Sequence, residues 1–165
     1  MTDDPTKIEI DFDPTVLRMS GVARHGYVRF DVPFISNIEG NLWQGGCETG
    51  LVLPEFIEHL VSLYPWENYA VNHELKSSLT FVMYDSTDQE YEAVDSLARW
   101  VADRCSDGPT LVHCQAGLNR SSLVAARVLM FGGRSASEAI ALVRERRSPA
   151  CLCNPAFETW LLETP

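Results

Sequence analysis

The sequence lacks any apolar stretch close to the roughly 20 residues that a membrane-spanning helix needs. Its first residues, Met1–Pro5, contain neither a cationic start nor an apolar segment, so we expect no signal peptide. The five cysteines are an odd number without a paired framework, which is typical of reduced thiols inside the cell. We therefore expect a cytoplasmic protein that does not bind membranes.

Lysine is also scarce, since Lys7 and Lys76 accompany 11 arginines. Arginine is the residue suited to binding phosphate through two parallel N–H groups. The 165 residues include 23 Asp+Glu and 13 Lys+Arg, giving a net charge of -10, and such a field repels polyanions. We expect no nucleic-acid partner. Residues 110–165 nevertheless contain six arginines against four glutamates, which predicts a local positive pocket on an acidic body.

No repeat, low-complexity tract or linker divides the chain, and its length suits one domain. Residues 1–20 are polar and acidic, and we expect a loosely ordered lead-in there. Residues 21–165 form the predicted folded domain. Apolar residues make up 45% of the sequence and charged residues 22%, which is typical of a globular protein.

The pattern of strands and helices predicts the fold class. Apolar or β-branched runs predict strands at 27–35, 41–44, 79–84 and 110–113. Helical spacing predicts helices at 54–64, 89–104, 121–131, from the capping-box pair Ser135 and Glu138 onward, and from Asn154-Pro155 to Leu162. Strands that alternate with helices indicate a single three-layer α/β domain, in which helices flank a central, largely parallel sheet.

One segment carries a pattern typical of anion chemistry: His113-Cys114-Gln115-Ala116-Gly117-Leu118-Asn119-Arg120-Ser121. A cysteine follows a buried strand, five residues form a loop, and an arginine begins an apolar helix. The N–H groups of such a loop can converge on a tetrahedral oxyanion, and the helix N-terminus adds positive potential. The same field favours a nucleophilic Cys114 thiolate. Arg120 offers two N–H groups to phosphoryl oxygens.

The order His-Cys-x-x-Gly-x-x-Arg-Ser resembles the signature of the cysteine-dependent protein tyrosine phosphatase superfamily. The chain length is similar to the compact dual-specificity branch. Residues 38–46 resemble the opening strand of that branch, and residues 144–157 resemble its closing pattern of arginine, asparagine and phenylalanine. The resemblance spans residues 36–162 and implies a dual-specificity-like fold, with 21–165 as the catalytic domain.

The resemblance also implies a role for each residue of the segment. Cys114 attacks phosphorus to form a phosphocysteine, and Arg120 holds the phosphoryl group. Ser121 donates a hydrogen bond to the departing thiolate, while His113 orients the loop. The remaining loop residues bind the phosphoryl oxygens through their backbone amides: Gln115, Ala116, Gly117, Leu118 and Asn119. The mechanism implied needs no metal and no cofactor.

A general acid must protonate the leaving oxygen. The resemblance implies an aspartate just beyond the strand that precedes the long helix, where both Asp85 and Asp88 lie. Asp88 has the alternative role of N-cap for a helix that begins near Gln89. We therefore favour Asp85 as the acid.

Other residues have plainer interpretations. Arg24-His25-Gly26 matches a short histidine-phosphatase signature, but three residues without a preceding strand are weak evidence. Arg144, Arg146 and Arg147 either form a solvated helix end or border the pocket. The remaining cysteines are expected to be structural, with a protective disulfide to Cys114 as the alternative and a zinc site disfavoured: Cys47, Cys105, Cys151 and Cys153.

The function expected is a metal-independent phosphomonoesterase that acts on phosphotyrosine and phosphoserine/threonine in proteins. One alternative is a non-protein substrate such as a phosphoinositide, an inositol phosphate or an RNA 5′ end. The loop between Cys114 and Arg120 contains no lysine to support that choice. Two further functions would also use an anion-binding loop: a catalytically poor phospho-binding module and sulfur transfer of the rhodanese type.

Overall fold

The computed structural model describes residues 33–86 and 88–165. Five strands lie in these residues: β1 Ile35–Glu39, β2 Leu42–Gly45, β3 His59–Ser62, β4 Ser77–Thr80 and β5 Thr110–His113. Four helices accompany them: α1 Tyr91–Cys105, α2 Arg120–Phe131, α3 Ala136–Arg146 and α4 Pro155–Glu163. The lead-in at 1–20, the Arg24-His25-Gly26 motif and most of the strand predicted at 27–35 lie outside the described residues. None of the described helices is long and apolar enough to cross a membrane.

The strands form one sheet in the order β1-β2-β5-β3-β4. β1 pairs with β2 in antiparallel fashion, whereas every other pair is parallel. Gly45 and Ser62 both lie opposite His113 in the register, so the carboxyl ends of β2, β3 and β5 meet at one edge. The carboxyl edge of parallel strands is where α/β proteins bind ligands.

Two apolar clusters cover the two faces of the sheet. Val61 and Val112 belong to the larger cluster, which contains the inner sides of the helices. α2 is central to it, because residues 120–129 are all buried and α2 contacts the three other helices. Leu60 and Leu111 belong to the smaller cluster, whose other buried members come from the helix-free segment between β2 and β3: Leu53 and Ile57.

Most of the predicted elements are confirmed. The sheet is largely parallel and flanked by helices, and β2, β5, α1 and α2 lie within two residues of the predicted ranges. Ser135 and Glu138 form the predicted capping box of α3. The Asn154 side chain accepts a hydrogen bond from the Ala156 N–H and so caps α4. These elements are set by caps and by apolar spacing among residues that are close together in the sequence.

The helix predicted at 54–64 is wrong, because its second half forms strand β3. β3 lies between β4 and β5, and all four of its residues are buried. A strand covered on both faces does not alternate between apolar and polar residues. The apolar residues of β3 are the adjacent Leu60 and Val61, and with Phe56 and Ile57 before them they also match helical spacing.

The strand predicted at 79–84 is displaced. β4 ends at Thr80 and is an edge strand with mostly exposed residues. The chain then continues beside β3, since the N–H groups of Phe81 and Met83 donate to the carbonyls of Ser62 and Leu63. Met83 is buried, but its neighbours Val82 and Tyr84 are exposed, so half of the apolar run faces solvent.

Candidate active site

The predicted strand–loop–helix arrangement is present at the carboxyl edge of the sheet. Cys114 follows β5 directly, residues 115–119 form the loop, and Arg120 is the first residue of α2. Cys114 and Arg120 are 2% and 1% exposed. The structure thus brings together all the residues of the predicted segment.

The loop carbonyls are turned outward. Each one from Cys114 to Asn119 accepts a hydrogen bond from a group beyond the loop. His113 Nδ1 donates to the Cys114 carbonyl, the Cys47 N–H to Gln115, and Arg147 Nη2 to Ala116. Gln44 Nε2 and Arg147 Nε both donate to the Gly117 carbonyl. The Leu152 N–H donates to Leu118, and the Leu123 N–H donates to Asn119. The N–H and C=O of a peptide unit point in opposite directions. The outward carbonyls therefore leave the amides free to point inward, as an anion-binding loop requires.

Gly117 fits a position that no other residue could occupy without rearrangement. Its φ is +74°, which is in the left-handed region. A Cβ there would lie 2.4 Å from Arg147 Nη2 and 2.5 Å from the Gly45 carbonyl carbon. The glycine thus allows the loop to pack directly against the end of β2.

The Cys114 sulfur lies among hydrogen-bonding groups. The Gly117 N–H donates to Sγ at 3.2 Å, and Ser121 Oγ is 3.4 Å from Sγ. Gln44 Nε2 donates to Ser121 Oγ at 3.1 Å and fixes its position. A thiolate here would have an amide, a hydroxyl and the N-terminus of α2 around it.

His113 is buried and neutral. Burial lowers its pKa to about 4, and the Arg120 charge acts in the same direction. Nδ1 lies 3.1 Å from the Cys114 carbonyl oxygen, which can only accept, so Nδ1 carries the hydrogen. Nε2 then accepts from the Tyr69 hydroxyl at 2.7 Å. Burial raises the pKa of Tyr69 to about 12, so the hydroxyl stays protonated and remains a donor.

Asp85, rather than Asp88, is joined to the loop. Asp85 is 0% exposed, and its two carboxylate oxygens accept from Asn119 Nδ2 and Asn154 Nδ2, each at 2.8 Å. Asn119 is the last residue of the loop, and its Oδ1 accepts from the Asn154 N–H at 2.9 Å. Asp88 is exposed, and α1 has Glu90 at its N-cap without a side-chain cap bond. The capping interpretation of Asp88 is therefore wrong.

Arg147 is not part of a solvated helix end. It is 7% exposed. Its guanidinium donates to five neutral acceptors: the carbonyls of Gly117 at 2.6 Å, Pro33 at 3.1 Å, Ala116 at 3.3 Å and Gln44 at 3.4 Å, and Ser36 Oγ at 3.0 Å. Arg146 is exposed as expected. Arg144 bonds the Cys151 carbonyl and pairs with Glu158 at 3.1 Å, so it holds the segment before α4.

The residues that organise the loop carried weak signals in the sequence. Gln44 and Asn154 fall inside the segments that resemble the dual-specificity branch, but the resemblance gave neither a role, and the Asn154-Pro155 pattern predicted only a helix cap. Tyr69 lies in a stretch without a motif. For Arg147, the sequence left a solvated helix end and a position at the pocket as alternatives, and its burial distinguishes it from the exposed Arg146.

The other cysteines fit structural roles. All five cysteines are free. Burial raises the pKa of Cys47 and of Cys153 to about 12, and it also raises the pKa values of Cys105 and Cys151. Neutral thiols of this kind are poor nucleophiles. Cys153 exchanges hydrogen bonds with the Asn119 side chain at 3.2 and 3.3 Å, so it supports the loop.

One group of possible metal ligands comes together in the described residues: Glu58, His59 and Asp107. His59 and Thr110 begin neighbouring strands, so this group lies at the edge of the sheet opposite the loop. Lys76 Nζ already pairs with Glu58 at 3.0 Å and with Asp107 at 3.6 Å. Both carboxylates of the cluster are therefore already paired with Lys76.

Comparisons with known proteins agree with this geometry. The family model of the dual specificity phosphatase catalytic domain matches residues 57–165, more than half of the chain. No curated protein matches the chain significantly.

Solved structures share the fold. One is a mouse protein assigned to the dual specificity phosphatases, in complex with zinc tungstate, with 21% sequence identity and a TM-score of 0.67. The match covers 82% of this chain and 89% of the mouse chain. Human DUSP28 has 20% identity and a TM-score of 0.63, covering 78% and 90%. OH1 of the Orf virus, a tyrosine phosphatase with triple substrate specificity, has 17% identity and a TM-score of 0.60, covering 91% and 89%.

Replacing Arg147 with methionine should destabilise the protein strongly. The substitution keeps an unbranched side chain but leaves several buried acceptors without a donor, so we expect a loss of about 3–5 kcal/mol in the free energy of unfolding. Urea denaturation followed by circular dichroism measures it. Arg146→Met is the matched control and should change stability by less than about 0.5 kcal/mol. Equal effects of the two variants would contradict the loop-holding role of Arg147.

The buried His113 should make stability depend on pH. Its folded pKa of about 4 lies below the ordinary value of 6.5, so the unfolded chain binds a proton first as the pH falls. The free energy of unfolding should be unaffected by this group above about pH 6.5 and fall between there and about pH 4, by up to about 1.4 kcal/mol per pH unit. Denaturation across this range measures the slope.

His113→Asn is the control, because its amide can still donate to the Cys114 carbonyl but does not titrate. Carboxylates contribute equally to both proteins, so the difference between the two curves reports on His113 alone. Parallel curves would show that His113 is not held neutral by burial.

Proposed function

This chain belongs to the dual specificity phosphatase catalytic domain family and is a cysteine-dependent phosphatase, and we propose that it hydrolyses phosphotyrosine and phosphoserine/threonine in proteins through a phosphocysteine. The observation that carries the proposal is the environment of Cys114. Its sulfur accepts the Gly117 N–H and lies beside Ser121, at the start of a loop whose carbonyls all point outward. That arrangement fits a thiolate nucleophile and a phosphoryl acceptor in one pocket.

In the first step, the Cys114 thiolate forms a bond to phosphorus while the bond from phosphorus to the leaving oxygen breaks. The inward loop amides and the Arg120 guanidinium hold the three non-bridging oxygens and stabilise the charge that develops on them. Asp85, which enters this step in its protonated form, gives its proton to the leaving oxygen and becomes a carboxylate. The alcohol or phenol leaves, and the phosphocysteine remains.

In the second step, water attacks the phosphocysteine. The Asp85 carboxylate takes the proton from the water as the sulfur–phosphorus bond breaks. Ser121 donates a hydrogen bond to the departing Cys114 thiolate, and inorganic phosphate is released. His113, which is neutral, orients the loop through the Cys114 carbonyl and transfers no proton. The amides and Arg120 supply the positive potential, so neither step as proposed calls for a metal or a cofactor.

A protein substrate is supported by charge. The loop between Cys114 and Arg120 contains no lysine, so it offers a single phosphate one guanidinium rather than a basic surface for several phosphates. The net charge of -10 opposes long polyanions. A cytoplasmic location fits free, reduced cysteines and is part of the same proposal.

The central test is hydrolysis of an aryl phosphate in the presence of a chelator. Cys114→Ser should lower kcat by about 10⁴-fold or more, because the hydroxyl is a far weaker nucleophile at this site. Vanadate should inhibit the wild-type protein. Cys105→Ser, on the far end of α1, is the matched control and should keep full activity. Turnover that survives Cys114→Ser, or that a chelator abolishes, would refute the mechanism.

The general acid is tested with two leaving groups. Asp85→Asn should lower kcat by about 10²–10³-fold for an alkyl phosphate. For an aryl phosphate with a strongly acidic phenol the loss should be much smaller, because that phenoxide leaves without a proton. Asp88→Asn is the control and should change both rates by less than about twofold, since Asp88 is exposed and not joined to the loop. If Asp88→Asn lowered kcat for the alkyl phosphate and Asp85→Asn did not, Asp88 would be the general acid.

A further inference from the structure

Three aromatic side chains lead outward from the phosphate site, and we call them the aromatic row: Tyr64, Trp66 and Tyr84. The Arg120 guanidinium carbon lies 5.3 Å from the centre of the Tyr64 ring. The Tyr64 and Trp66 ring centres are 4.8 Å apart and meet edge to face. The Trp66 and Tyr84 ring centres are 6.2 Å apart. The row thus begins at the residue that holds the phosphoryl group.

Two chain segments fix the row beside the site. Tyr64 and Trp66 follow β3 at the carboxyl edge of the sheet, where the loop lies. Tyr84 stands between Met83, whose carbonyl accepts from Arg120 Nη1 at 3.1 Å, and Asp85, the proposed acid. The leaving oxygen must come within reach of Asp85, and Tyr84 is the exposed residue that precedes Asp85 in the chain.

The rings of Trp66 and Tyr84 are not part of the apolar core of the described residues. Trp66 is 52% exposed and Tyr84 is 53% exposed, and neither belongs to an apolar cluster of the described residues. Tyr91 and Trp160 provide the contrast, because they stack at 4.5 Å and pack against the main core. Neighbouring exposed aromatic rings at the mouth of a site are typical of a recognition surface.

We propose that Trp66 and Tyr84 receive the aromatic ring of phosphotyrosine and so make the protein prefer aryl over alkyl phosphoesters. This inference rests on the proposed function of the same site. In phosphotyrosine the ring is bonded directly to the leaving oxygen, so it lies beside the row whenever the phosphate lies in the loop. Phosphothreonine presents only a short alkyl group there. Ring packing therefore separates the two substrates, while the phosphate contacts are common to both.

The experiment compares kcat/KM for a phosphotyrosine peptide and a phosphothreonine peptide of otherwise identical sequence. One aromatic pair is worth about 0.5–1.5 kcal/mol, so Trp66→Ala and Tyr84→Ala should each lower kcat/KM for phosphotyrosine about 2- to 10-fold. For phosphothreonine the change should stay below about twofold. Tyr84→Phe keeps the ring and should restore the preference. Inhibition by inorganic phosphate, which contacts only the loop, should be unchanged.

The matched control is Phe56→Ala, since Phe56 is 47% exposed but pairs with Trp43 on the side of the smaller cluster. It should leave both substrates unaffected. Equal losses for the two peptides, or no loss for either, would overturn the proposal. So would variants that lose hydrolysis of a 5′-phosphorylated oligonucleotide while phosphotyrosine turnover stays intact, because the rings would then stack on a nucleobase. If the wild-type protein hydrolyses none of these esters, it is the proposed function that has failed.

Discussion

The site depends on the hydrogen bonds that turn the carbonyls of residues 114–119 away from the Cys114 sulfur. The donors come from separate parts of the fold: the segment after β2, the side chain that follows α3, the segment before α4, and α2 itself. A loop of this kind has no regular structure to define its shape. Its amides converge only because the surrounding elements bind its carbonyls, so the sheet and helices act as one frame for an anion.

Asp85, the proposed acid, is held by residues of the same loop and of the segment before α4. Asp85, Asn119 and Asn154 are all buried, and they join the strand extension, the loop and the start of α4 through hydrogen bonds of 2.8–2.9 Å. A buried polar network whose members satisfy one another is rigid and specifies one arrangement. The position of the Asp85 carboxyl relative to the loop is thus set by the fold, which is the kind of preorganisation that the proposed acid role requires.

The parts of this architecture that the sequence predicts are those with local causes. The run from β5 to Arg120 and the caps at Ser135 and Asn154 use residues within a few positions of one another. The parts that it does not predict have distant causes. β3 is a strand because two other strands enclose it, and Arg147 bonds Gly117, 30 positions away, and Pro33, 114 positions away. No short window of the chain contains those partners.

The residues that hold the loop also bring a buried positive charge to it, the guanidinium of Arg147. Among the described residues, the acceptors of Arg147 are four carbonyls and one hydroxyl, and none is a carboxylate. Burying a cation among neutral groups is costly, and an anion nearby reduces that cost. Burial lowers the pKa of Arg147, and negative charge on Cys151 or Cys114 would act in the opposite direction. Arg147 therefore places a buried guanidinium against the Ala116 and Gly117 carbonyls of the loop, in a protein whose net charge is -10.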